Sequence, residues 1–88
     1  MAEVEIYTTS LCGYCHRAKH LLSNKGVQFT EYDVTFDPEK RKEMAERTGG
    51  KTSVPQVFID GKGVGGSDDL IELDLDDELD PMLGISGE

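Results

Sequence analysis

Val4-Glu5-Ile6-Tyr7-Thr8 alternates apolar and polar side chains and is rich in β-branched residues, the two-residue period of a strand. The period then changes. Tyr14, Ala18, Leu21 and Leu22 recur at i, i+4, i+7 and i+8, one face of a helix that Gly26 stops. Residues 27–34 read as a second strand. Asp37-Pro38 reads as an N-cap followed by proline at the first helical position, opening a helix of roughly ten residues that ends near Gly49-Gly50. Its apolar face is thin, with Met44 and Ala45 as its main members. Residues 54–59 are the most apolar short run and predict a central strand opened by Pro55. Asp60-Gly61 predicts a hairpin returning through residues 63–65. From Ser67 the pattern turns helical again, with Ile71, Leu75, Leu79 and Met82 recurring about every four residues and Pro81 expected to kink or restart the helix. Residues 84–88 are expected to fray.

The order β-α-β-α-β-β-α makes the first strand pair parallel and right-handed, because a helix joins it, and the second pair antiparallel, because a tight turn does. A mixed four-stranded sheet with helices on both faces follows, which is the α/β architecture of the thioredoxin fold. At 88 residues the chain is expected to form a single domain, residues 1–88.

Composition narrows the function. The net charge of −9 is uneven: up to Lys51 the acids and bases balance, whereas from Thr52 onward ten acids face Lys62 alone. Nucleic acid and anionic membrane prefer the opposite field, so neither is an expected partner. No apolar run approaches the ~18 residues of a membrane span. Glu3 and Glu5 interrupt any signal-peptide pattern, which points to a cytoplasmic, reducing compartment. Solvation is the expected role of the acidic half, ahead of docking to basic partners or adaptation to high salt.

In that compartment two cysteines in Cys12-Gly13-Tyr14-Cys15 are not a staple. A bridge enclosing two residues removes little loop entropy. A strand precedes the pair and a helix follows, so Cys12 faces the unpaired N–H groups and positive dipole end of the helix, both of which favour thiolate over thiol. Cys15, one turn further on, is expected to be more buried and to act second, releasing what Cys12 has attacked. The same residues spell a C-x-x-C-H haem-attachment pattern, which needs an exported, usually helical protein and a distal ligand such as Met82. They also offer Cys12, Cys15, His16 and His20 as zinc ligands, but four ligands within nine residues of one helix cannot surround a tetrahedral ion.

Three segments carry a family resemblance: residues 12–19 (CGYCHRAK), 53–59 (SVPQVFI) and 65–70 (GGSDDL). In this register, from about Val4 to Leu83, the chain resembles the glutaredoxins, and most closely the short dithiol type of bacteria. The resemblance implies a glutathione-dependent reductase of protein disulfides and glutathione mixed disulfides. It implies Cys12 and Cys15 as catalytic, glutathione as co-substrate, and no required metal. It implies a cis peptide before Pro55, the Val54 backbone facing Cys12 and pairing with glutathione, and Ser53 and Tyr14 flanking that contact. Gly66 would allow close approach of the γ-glutamyl end, with Ser67 and Asp68 binding it. Disulfide-bearing or glutathionylated proteins are the implied partners, glutathione reductase an indirect one, and the monomer the implied state. Thr9 stands where many relatives carry lysine, and Arg41 or Lys51 would have to replace that cation. Gly13 stands where proline is commoner, and Ser67 where a third cysteine often occurs. Because Gly13 replaces that proline, an alternative reading is a dimeric carrier or sensor holding a [2Fe–2S] cluster between Cys12 of two chains and two glutathiones.

Overall fold

The computed structural model describes residues 2–85. Eight elements follow one another: β1 (Val4–Thr8), α1 (Gly13–Asn24), β2 (Thr30–Asp33), α2 (Pro38–Thr48), β3 (Gln56–Ile59), β4 (Lys62–Gly65), α3 (Ser67–Leu75) and α4 (Leu79–Leu83). The strands form one sheet in the order β2-β1-β3-β4. The β1–β2 pair is parallel, and the β1–β3 and β3–β4 pairs are antiparallel.

The parity of the strands divides the core. Val4 and Ile6 of β1 join Val57 and Ile59 of β3 on one face, packed with Ala18 and Leu22 of α1, Leu70 of α3, and Leu79 and Leu83 of α4. Tyr7 and Phe58 point to the other face and meet Val34 and Met44. Helices therefore cover both sides of the sheet, and β1 is buried on both faces.

The second core is closed by a polar lid. Met44 is the one fully buried residue that α2 supplies, and the thin apolar face read from the sequence is completed by Arg47. Its guanidinium carbon lies 3.9 Å from the Phe58 ring centre. The same group donates to both Glu5 carboxylate oxygens, at 3.2 and 3.0 Å, and to the Tyr7 hydroxyl at 2.8 Å. These hydrogen bonds hold the Glu5 carboxyl below the usual glutamate range, against the opposing effect of burial.

Four expectations change. In α1 the buried stripe is Cys15, Ala18 and Leu22, while Tyr14, expected on that face, is exposed. Spacings of three and four residues keep 15, 18 and 22 in line, and Tyr14, in the first turn, lies at the edge of that stripe, ~40° from Ala18 and ~100° from Cys15. The second strand is shorter than residues 27–34, since the turn leaving α1 holds the Val27 N–H on the Leu22 carbonyl at 3.2 Å. Leu75 does not continue the apolar face of the last helix. It is 78% exposed because α3 ends there, with Asp76 as C-cap and Asp77 at a φ of 59°. Finally, the interruption precedes Pro81, which sits inside the first turn of α4, where a missing N–H costs nothing. Lys25 spans the break, with Asp74 at 2.7 Å on one side and Asp80 at 2.6 Å on the other. Of the expected frayed end, residues 86–88 lie outside the described residues.

Candidate active site

Cys12 follows β1 and is the N-cap of α1, with extended backbone angles. Its Sγ accepts the Cys15 N–H at 3.0 Å, while its carbonyl accepts the His16 N–H at 3.1 Å. A sulfur in the capping position meets a first-turn donor and the positive end of the helix dipole, both of which stabilise negative charge. Cys15 has the opposite surroundings. It is 1% exposed, and burial first, then the neighbouring Cys12 sulfur, push its thiol up to about 12. Both cysteines are free thiols.

The peptide bond between Val54 and Pro55 is cis, and the Val54 carbonyl lies 3.9 Å from Cys12 Sγ. A groove of about 450 Å³ runs from this point. Tyr14, Ser53, Val54, Pro55, Gly66 and Asp68 line it, so side chains from three separate segments of the chain converge there. Ser53 is set by Gln56, whose amide donates to its carbonyl at 3.0 Å and its hydroxyl at 3.3 Å. A Cβ at Gly66 would sit 3.2 Å from the Pro55 carbonyl, a tight contact that the backbone there would have to yield to by a few tenths of an ångström.

The start of α3 forms the far wall. Gly66 is its N-cap, so Ser67 and Asp68 occupy the first two helical positions rather than the capping position itself. Their N–H groups have no intrahelical acceptor. Ser67 does not line the groove. It lies behind it, with a buried hydroxyl that has no partner among the described residues. Capping falls instead to Asp69, whose carboxylate accepts the Gly66 N–H at 2.9 Å. Asp69 also lines the groove, and sequence reading missed it; the acid three residues after the N-cap was the available signal.

Lys51 lines the groove and Arg41 does not. Arg41 is committed to the Thr52 carbonyl at 3.1 Å. Of the two cations considered as replacements for a lysine at Thr9, Lys51 is therefore the one beside the site. His16 and His20 are exposed on α1, and no group of three metal-ligating side chains assembles among the described residues.

A thiol–disulfide exchange site at the start of a helix, opposite a cis-proline in this sheet order, defines the class: thioredoxin-fold oxidoreductases acting on disulfides. Comparison with known proteins narrows it. The glutaredoxin family model matches residues 4–64. Glutaredoxin 3 of Escherichia coli K12 is 55% identical over 83 residues, covering 94% of this chain and 99% of its own. Among solved structures, a glutaredoxin from Brucella melitensis superposes with a TM-score of 0.82 at 48% identity, covering 94% of this chain and 89% of its own. A buckwheat glutaredoxin–glutathione complex gives 0.86 at 29% identity, over 97% and 83%. The chain belongs to the glutaredoxin family, the glutathione-dependent thiol–disulfide oxidoreductases.

Proposed function

We propose that Cys12 is the attacking thiolate, Cys15 the resolving thiol, and the groove beside them the seat of glutathione. The observation that carries this reading is the division between the two sulfurs: one is half-buried and accepts a helix N–H, while the other is fully buried, which pushes its thiol up. With a glutathione mixed disulfide, Cys12 attacks the glutathione sulfur. The substrate thiolate leaves and takes a proton, and glutathione remains on Cys12. A second glutathione thiolate then attacks that bound sulfur, releasing oxidised glutathione and regenerating the Cys12 thiolate. With a protein disulfide, Cys12 takes one substrate sulfur into a mixed disulfide. Cys15 then gives up its proton, attacks Cys12 and frees the substrate as a dithiol. Two glutathiones reopen the Cys12–Cys15 bond and leave as the oxidised form. Electron donation thus comes from glutathione, with glutathione reductase as an indirect partner.

Glutathione lies extended along the groove in this reading. Its backbone pairs with Val54 as an added strand. Its γ-glutamyl carboxylate meets the positive end of α3 at the Asp68 N–H, with Ser67 supporting that turn from behind, and its α-amino group meets the Asp68 carboxylate. Lys51 is placed to receive the glycyl carboxylate. Pro55 and Gly66 shape the floor, while Tyr14 and Ser53 form the walls. A glutathione complex of a buckwheat relative with the same fold supports the ligand assignment. The 88 residues act as one domain and as a monomer, on glutathionylated or disulfide-bearing proteins of the cytoplasm.

Replacing each cysteine tests the roles. Cys12→Ser is expected to abolish all turnover. Cys15→Ser is expected to keep glutathione mixed-disulfide reduction and lose the dithiol route to protein disulfides. Normal turnover in Cys12→Ser overturns the assignment.

A further inference from the structure

Four large apolar side chains are strongly exposed among the described residues, and Leu11 at 99% and Phe36 at 95% are the extremes. Neither belongs to the core or the groove. Leu11 directly precedes Cys12. Phe36 lies on the loop leaving β2, which ends level with β1 because Thr8 pairs with Asp33 in the parallel register. The two loops are stitched together: the Ser10 N–H donates to Thr35 Oγ1 at 2.8 Å, and Leu11 and Phe36 are the next residue along each chain. Thr35 is in turn anchored by Asp33, which accepts its N–H at 2.9 Å. Phe36 therefore stands on a braced loop rather than a loose one.

The sheet order gives this pair a direction. Cys12 follows β1, the groove lies toward β3, and Phe36 lies toward β2, on the opposite flank. A mixed disulfide with its glutathione half in the groove must send its other half away from it. Phe36 is also set among acids. Asp33, Asp37 and Glu39 are exposed and form no ion pair among the described residues, and Lys40 beside them is matched to Glu43 at 2.9 Å.

We infer that Leu11 and Phe36 form the recognition surface for the polypeptide half of a disulfide substrate, and that it takes a segment with an apolar side chain next to the reactive cysteine and a basic side chain beyond it. The argument combines continuity with the reacting sulfur, two uncovered apolar side chains on braced loops, and charge complementarity. It rests on the proposed role of Cys12.

The test uses two glutathionylated peptides, one apolar–basic around its cysteine and one serine–basic, together with a small-molecule glutathione mixed disulfide lacking any peptide. The unmodified protein is expected to favour the apolar–basic peptide by roughly five- to tenfold in kcat/KM, the scale of partly burying one apolar side chain. A Leu11→Ser/Phe36→Ser double variant is expected to lose that preference while reducing the small mixed disulfide at the original rate. Both residues are surface-exposed, and an unchanged melting curve verifies that the variant folds. No preference in the unmodified protein, a preference that survives the double substitution, or an equal loss on the small disulfide overturns the inference. If the unmodified protein reduces none of the three, the role of Cys12 itself fails, and this inference with it.

Discussion

Cys12 and Cys15 are separated by two residues yet meet opposite environments, because one caps α1 and the other begins its buried stripe. A thiol pushed up to about 12 stays protonated at neutral pH, so Cys15 is expected to resist alkylation there. Peptide mapping by mass spectrometry after brief iodoacetamide treatment should find the label on Cys12 alone; equal labelling of both would contradict the assigned division. The second residue-scale prediction concerns Gly65, whose φ of 105° is left-handed and whose added Cβ would run into the Asp69 carboxylate. Gly65→Ala is expected to destabilise the fold by about 1–3 kcal/mol in denaturant titration, and to raise the KM for glutathione by disturbing the Gly66 cap. The placement of the cysteine pair, one capping α1 and the other buried a turn further on, was legible in the sequence because a short motif between strand and helix has few geometric solutions. Asp69 was not, because an acid in a helix first turn reads equally well as solvation.

At the scale of elements, the ends of the helices were harder to read than their existence. The spacing of Ile71, Leu75, Leu79 and Met82 is periodic, but the chain breaks between the second and third of them, so the apparent face spans two helices. Leu79 is fully buried while Leu75 is exposed. Leu79→Ala is expected to cost about 2–5 kcal/mol, and Leu75→Ser less than about 0.5 kcal/mol, by chemical denaturation. The tie that holds the break, Lys25 between Asp74 and Asp80, joins residues far apart in sequence and leaves no local pattern. Helix α2 hides its contribution in the same way, since Arg47 works through long-range contacts with Glu5, Tyr7 and Phe58. The Glu5 carboxyl is held below its unfolded value, as are those of Glu31 and Glu43, through hydrogen bonds first to Arg47, Thr8 and Lys40 respectively. Their stabilisation is fully present above about pH 4.3, the ordinary glutamate value, and is lost as pH falls through the lower folded values. Thermal melting is expected to weaken across that acid range. Arg47→Ala should lower stability at neutral pH by about 1–3 kcal/mol and flatten part of the acid dependence, leaving the Glu31 and Glu43 contributions.

Across the whole molecule, strand order and connection rules carried most of the fold from sequence to structure. A helix between the first two strands and a tight turn between the last two leave few arrangements open, and the observed sheet follows them. The groove is the exception: Tyr14, Val54 and Gly66 belong to three segments that converge only in the folded sheet, so family resemblance located them where periodicity could not. That same convergence makes glutathione recognition, rather than thiol chemistry alone, the central claim. The most direct measurement compares one peptide carrying the same cysteine as either its glutathionyl or its cysteinyl mixed disulfide, with Cys12→Ser as the blank. The glutathionyl form is expected to be reduced at least about tenfold faster in kcat/KM, since only it can fill the groove with satisfied polar groups. Equal rates for the two forms would contradict the account.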